Sequence, residues 1–194
     1  MPVANPRKQR RRAMPSGRVR IIGGAWRGRR IEVPSVPDLR PTPDRVRETL
    51  FNWLGQSLAG AVCLDLYAGS GVLGFEAASR GAERVVLVEQ ARAALATLRA
   101  TRAVLEARQV EIVVADALRY LEAADVRFDV VFLDPPFRQN VWPALFERLP
   151  RCLAAGARVS LEASVPQDAP QGWHELRRLR AGQVSLQLMQ WDAK

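Results

Sequence analysis

The stretch AVCLDLYAGSGVLGFEAASRGAERVVLVEQ, residues 61–90, holds the turn on which the fold depends. Its apolar run over 61–67 is too short for a buried helix and stops at Asp65-Leu66-Tyr67-Ala68-Gly69-Ser70-Gly71, so it reads as a strand buried on both faces. Val72 opens a helical segment reaching residue 80, and VVLVE restores a strand that ends at Glu89. The same alternation continues downstream. Helical segments at 92–105, 117–123 and 141–149 separate the apolar runs VEIVVAD (110–116), FDVVFLD (128–134) and RVSLEA (158–163). Such regularity predicts βαβ units on a parallel sheet covered by helices on both faces. HELRRLR (174–180), Ala181-Gly182 and VSLQLMQW (184–191) read instead as two strands joined by a tight turn, an antiparallel pair that completes the sheet.

Upstream of this core the composition changes. Residues 1–17 are polar, basic and broken by Pro2, Pro6 and Pro15, with too little apolar surface to offset the entropy of ordering, so a disordered basic tail is expected. Two short apolar segments around Gly23-Gly24 predict a β-hairpin, followed by a proline-rich crossing to residue 43. Asp44 reads as the N-cap of a helix whose inner face carries Val46, Leu50, Phe51, Trp53 and Leu54. Three units follow: the tail 1–17, a hairpin extension 18–43, and a catalytic domain 44–194.

The chain has 194 residues and a net charge of +9, and the whole excess is N-terminal. Residues 1–30 carry ten Lys or Arg and no acid, whereas residues 31–194 hold 19 basic and 20 acidic side chains. A concentrated basic block suits a polyanion, because each neutralised phosphate releases condensed counterions. Arg18, Arg20, Trp26, Arg27, Arg29 and Arg30 are the candidate nucleic-acid contacts; for Arg7 to Arg12 a solubilising tail explains the charge equally well. No apolar run approaches the roughly 20 residues of a membrane span, so a cytoplasmic location is expected. Cys63 and Cys152 stand apart from any CxxC pair and His174 stands alone, which points to no metal site and no disulfide framework.

Two features carry the chemistry. The glycine turn at Gly69 to Gly71 lies at the carboxyl edge of the sheet, and Glu89 follows Asp65 by 24 residues, close to the interval at which an acid meets a ribose. A nucleoside cofactor is implied. Gly69-x-Gly71-x-x-Gly74 also matches the dinucleotide fingerprint, but Asp65 is placed to meet the cationic amino-acid end of a cofactor. Asp116, at the end of the third strand, is both a helix N-cap and a candidate contact for an adenine amine, with Ala117 beside it.

The second feature is Asp134-Pro135-Pro136-Phe137 at the end of the fourth strand. Consecutive prolines fix the backbone and remove two N–H donors, leaving carbonyl oxygens beside a carboxylate. Such an acceptor cluster would hold the hydrogens of a ring-conjugated amine and turn its lone pair toward a sulfonium methyl, while Phe137 stacks on the presented base. A carboxylate accepts only, which suits the adjacent N1–H and N2 donors of guanine better than adenine. The same motif would serve an amine methyltransferase acting on DNA, on adenine N6 or on protein. DNA would call for a target-recognition domain, however, and a nicotinamide oxidoreductase for a proton donor such as a Tyr/Lys pair; neither is evident.

RIIGGAWRGRRI (20–31), LRPTPDRVRETLFNWL (39–54), CLDLYAGSGVLGFEAASRGA (63–82), VEQ (88–90), DPPF (134–137) and AGQVSLQLMQ (181–190), in this order, resemble the RsmD-type methyltransferases. These act on N2 of a guanine in bacterial small-subunit ribosomal RNA. The resemblance implies a Rossmann-like class I methyltransferase fold, with a mostly parallel seven-stranded sheet and an antiparallel C-terminal strand. It also implies S-adenosylmethionine as methyl donor and 16S RNA in an assembled or nearly assembled 30S particle as substrate, and a monomer is expected. By that resemblance Asp65, Tyr67, Ala68, Gly69, Ser70 and Gly71 cradle the methionine part, Glu89 and Gln90 hold the ribose, and Asp116 and Ala117 lie near the adenine. Asp134, Pro135, Pro136 and Phe137 grip the target base. Arg40, Thr42 and Arg45 resemble a segment that closes over the cofactor and reaches RNA.

Overall fold

The computed structural model describes residues 17–34, 43–136 and 140–192, so the tail over 1–16, Arg40, Thr42 and Phe137 lie outside the described residues. A hairpin of β1 (Arg18–Arg20) and β2 (Arg30–Glu32) comes first, followed by helix α1 (Asp44–Leu54). Then β3 (Val62–Asp65), α2 (Val72–Ser79), β4 (Arg84–Glu89), α3 (Arg92–Val104), β5 (Val110–Val114) and α4 (Ala117–Ala123) alternate. The chain continues through β6 (Phe128–Leu133), α5 (Trp142–Arg148), a 3-10 turn (Leu149–Cys152), β7 (Leu153–Ala163), β8 (Trp173–Ala181) and β9 (Val184–Trp191).

Seven strands form one sheet in the order β5-β4-β3-β6-β7-β9-β8, parallel from β5 through β7. β9 lies antiparallel between β7 and β8, so the last strand is inserted and β8 becomes the edge. That edge is rich in charge, with Glu175, Arg177, Arg178 and Arg180 outward, which discourages pairing with another chain. β7 begins at Leu153, five residues before the expected RVSLEA, and a register shift against β6 absorbs the addition. The strands carry apolar side chains on both faces because both are covered. One core packs α1, α2, α3 and the hairpin against Cys63, Val85, Val130 and Phe132; the other packs α4 and α5 against Leu64, Val86, Val131 and Leu161.

The start of α1 differs from expectation. Pro43, not Asp44, occupies the N-cap position, and Asp44 is the first helical residue. Its carboxylate accepts from Arg47 Nη2 at 2.6 Å and so is drawn into an ion pair that outcompetes the local backbone cap.

That pair belongs to a larger network. Every residue of α2 is buried, including Glu76, which is 0% exposed. Glu76 accepts from the backbone N–H of Ile22 (2.8 Å) and Gly23 (2.7 Å) and from Arg80 Nε (2.9 Å), and Arg47 Nη1 stands 3.6 Å away. Arg47 is also 0% exposed and donates to the Arg20 carbonyl, and Arg80 reaches Gln56 and stacks 4.7 Å over the Phe51 ring. Next to this knot the hairpin backbone touches α2 directly: Trp26 N–H donates to Ser79 Oγ, Ala25 N–H to the Ser79 carbonyl, and Ser79 Oγ back to the Gly23 carbonyl. Gly24, at φ +76°, permits this approach, since a Cβ there would stand 1.8 Å from the Ser79 carbonyl oxygen. Hairpin, α1 and α2 are therefore joined through one carboxylate. Glu76→Ala is expected to cost about 3–5 kcal/mol, the penalty for stripping the partner from buried guanidinium groups. Chemical denaturation checks this; a loss under about 1 kcal/mol, the size of an exposed pair, would refute the central role of Glu76.

Candidate active site

Parallel β3, β4, β5 and β6 all end at the same edge, so Asp65, Glu89, Asp116 and Asp134 arrive there from four strands. Between β3 and α2 the chain turns through Gly69 and Gly71, both with positive φ (52° and 76°). The turn is tied by Gly71 N–H to the Ala68 carbonyl and Ala68 N–H to the Val88 carbonyl of β4. Leu98 and Phe75 press on Gly71, where a Cβ would come within 2.5 Å of Leu98. Gly74, one turn on, lets α2 lie against β4: a Cβ there would meet Leu87 at 2.2 Å. Each glycine of the motif thus has its own steric cause.

Asp65 is buried and accepts from Gly74 N–H at 3.0 Å. Burial outweighs that bond, and with Glu89 nearby it pushes the carboxyl up to about 7. Glu89 accepts from Gly69 N–H and from Gln90 and Ala91 N–H, each at 2.8 Å, so the acid that ends β4 organises the glycine turn and the start of α3 together. Ser70 is buried in the same turn, and Gln90 is exposed beside it. Asp116 caps α4, accepting from Leu118 and Arg119 N–H at 3.1 Å, and Ala117 is buried behind it. Burial, with the Asp116 carboxylate nearby, pushes the Tyr67 phenol up to about 12, so it stays neutral.

β6 delivers Asp134 to this edge directly beside β3, with Pro135 and Pro136 after it. The Asp134 carboxyl is raised well above the carboxylate range, first by burial and then by Glu162 and Asp65. Glu162 was not expected at the site. It is the penultimate residue of β7, and the register Leu133↔Leu161 sets it level with Asp134. An acid at a strand end was its visible signal, but its neighbour is fixed only by the strand order.

The arrangement fits S-adenosylmethionine. Asp65 beside the turn is placed to meet a cationic amino-acid end, the left-handed glycine turn admits a close ligand, and Glu89 and Asp116 offer acceptors for a ribose and an adenine amine.

The basic candidates fall into three groups. Arg20 pairs with Asp44 at 3.5 Å, and the neighbouring Arg45 is exposed at the start of α1. Trp26, Arg27 and Arg29 sit on the hairpin loop, which is bonded to the far end of α2; Arg29 reaches the Val104 carbonyl at the far end of α3. Helices of eight and thirteen residues place that loop about 12–20 Å from the edge carrying Asp134. Arg18 and Arg30 line a groove against Thr97, Thr101 and Val104 of α3, Arg18 pairing with Glu32 at 3.7 Å. The structure does not gather these residues around the reacting centre.

Cys63 and Cys152 are free and buried, and burial pushes the Cys63 thiol up to about 12, which removes it as a nucleophile. His174 forms an exposed ion pair with Asp192 at 2.8 Å, remote from this edge. No helix among the described residues is long and apolar enough to cross a membrane.

A family model described as Conserved hypothetical protein 95 matches residues 19–190. Ribosomal RNA small subunit methyltransferase D of Escherichia coli is 42% identical over 184 residues, covering 92% of this chain and 93% of that protein. The protein of the same name in Haemophilus influenzae is 40% identical, covering 90% and 94%. The solved structure of yhhF from Escherichia coli superposes with a TM-score of 0.84 at 42% identity, covering 92% of this chain and all of that one. With its seven-stranded Rossmann-like sheet, its glycine turn and Asp134-Pro135-Pro136 at the same edge, this chain belongs to the Conserved hypothetical protein 95 family, the RsmD family of methyltransferases.

Proposed function

We propose that this protein transfers a methyl group from S-adenosylmethionine to the exocyclic N2 amine of a guanine in small-subunit ribosomal RNA. We further propose that it does so as a cytoplasmic monomer acting on the 30S particle. The observation that carries the reading is Asp134, a half-buried carboxyl directly after β6, followed by two prolines that offer no N–H. The names of the relatives, which refer to ribosomal RNA of the small subunit, support the substrate class.

When bound, S-adenosylmethionine would supply an electrophilic methyl whose bond to sulfur breaks as the N–C bond forms, the sulfur keeping the electron pair and leaving as a neutral thioether. Asp65 holds the cationic end of the cofactor, and Glu89 and Asp116 fix the nucleoside. Asp134 and the Pro135 carbonyl accept from the amine and orient its lone pair, so positioning and preorganised charge lower the barrier. As the N–C bond forms, the amine gains a positive charge and must shed a proton. Asp134 is suited to take it, because burial first, and then Glu162 and Asp65, raise its proton affinity. The hairpin arginines contact phosphates away from the reacting base, and Phe137 stacks on that base.

Labelled methyl transferred to small-subunit particles lacking the modification, followed by digestion to nucleosides, should appear in N2-methylguanosine; N6-methyladenosine would overturn the base assignment. Asp134→Ala should reduce transfer at least about 100-fold while leaving cofactor affinity within a few fold, as measured by calorimetry.

A second expectation concerns pH. With the Asp65 carboxyl at about 7, the protonated, neutral form dominates below that value and the anion above it. Affinity for the cationic cofactor should therefore rise between pH 6 and pH 8, and binding at pH 6 should release a proton, seen as a buffer-dependent enthalpy. Asp65→Asn should bind weakly and lose the pH dependence; an unchanged profile would count against this role.

A further inference from the structure

Among the described helices, α3 differs from the others in its charge. α1, α2, α4 and α5 each contain an Asp or Glu, whereas the stretch 90–105 holds Arg92, Arg99 and Arg102 and no acid. The helix buries Ala94, Leu95, Leu98 and Thr101, which leaves the three arginines exposed. No other described residue pairs with their guanidinium groups. The exposed positions between them are Ala93, Ala96 and Ala100, side chains too short to hold a ligand away from the helix. Arg99 and Arg102, three residues apart, repel each other unless an anion lies between or over them.

The placement of α3 gives this row a direction. The helix begins at the carboxyl edge of the sheet, where Glu89 accepts from Ala91 N–H. It ends at Val104, whose carbonyl accepts from Arg29 Nη1 of the hairpin at 3.4 Å. At about 1.5 Å per residue, Arg92 and Arg102 stand roughly 15 Å apart along the axis, which spans the interval between the hairpin loop and the edge. A groove of about 420 Å³ separates the helix from the hairpin, with Arg18 and Arg30 on one wall and Thr97, Thr101 and Val104 on the other.

We infer that the exposed face of α3 carries the RNA backbone from the hairpin to the active edge, with Arg92, Arg99 and Arg102 each against a phosphate. The inference rests on the RNA reading above and deepens it by naming the surface between the two places that the RNA touches. Unpaired guanidinium groups on a rigid helix suit phosphate oxygens, which accept two N–H groups at once. Such contacts read no base; they fix the register in which the RNA lies on the protein, and so which nucleotide enters the pocket.

The test measures affinity for small-subunit particles lacking the modification across potassium chloride concentrations at fixed magnesium. Arg99→Gln/Arg102→Gln should flatten the slope of log Kd against log salt by about 1.4–1.8, the loss of two phosphate contacts, and weaken binding about tenfold or more at low salt. Arg177→Gln/Arg180→Gln removes the same charge from exposed positions on β8, at the opposite end of the sheet from the β4–α3–β5 unit, and should match wild type. Cofactor affinity near that of wild type shows that both variants are folded. Equal effects of the two double variants would reduce the row to general charge and overturn the inference. An unchanged slope in Arg99→Gln/Arg102→Gln would overturn it too, and with weakened affinity would put a protein, not phosphate, against α3. Wild-type protein with no salt-dependent affinity for the particles would instead overturn the RNA reading itself.

Discussion

Glu76 is the constraint around which one half of the molecule is arranged. A fully buried carboxylate is tolerated only where donors surround it. Here they come from three separate parts of the chain: the hairpin backbone at Ile22 and Gly23, Arg80 on the same helix, and Arg47 on α1. The hairpin is thereby part of the core on that face, with Ile21 and Ile31 packed in the same cluster as Phe51, Phe75 and Phe132. Because α2 begins at the glycine turn, fixing its position also fixes that turn. Gly74 against Leu87 and Glu76 against the hairpin hold α2 from its two sides.

At the sheet edge the arrangement of charge is reversed. Glu76 is surrounded by donors from the hairpin, α1 and the end of its own helix, whereas the Asp65 and Asp134 carboxyls are raised by burial and by neighbouring acids. Proximity of like charge in a low-dielectric setting raises proton affinity and costs stability.

The hairpin's basic loop adds a spatial condition. Held against the far ends of α2 and α3, Trp26, Arg27 and Arg29 are separated from Asp134 by the depth of the sheet. RNA that touches both must pass along the α1–α3 face. A compact structured RNA meets that condition more readily than an isolated short strand, because its phosphates are already held at fixed separations.

Much of this was legible in the chain itself. The alternation of apolar runs with helical segments set the α/β class and most element boundaries, since burial on both faces leaves a local signature. Asp65, Gly69, Gly71, Glu89, Asp116 and Asp134 were visible because strand ends at one edge of a parallel sheet share a position in each βα unit. Arg47 was hidden inside an amphipathic helix, where an arginine ordinarily faces water, and Glu76 inside an apolar helix, where nothing local supplies its partners. The insertion of β9 between β7 and β8, the pairing of β6 with β7 that sets Glu162 beside Asp134, and the placement of the hairpin loop at the far edge were decided only in the tertiary structure. The physical reason is that periodicity records which face of a segment is buried, a property of neighbouring residues. Which strand lies beside which depends on hydrogen bonds and packing between segments distant in the chain, and no local pattern encodes them.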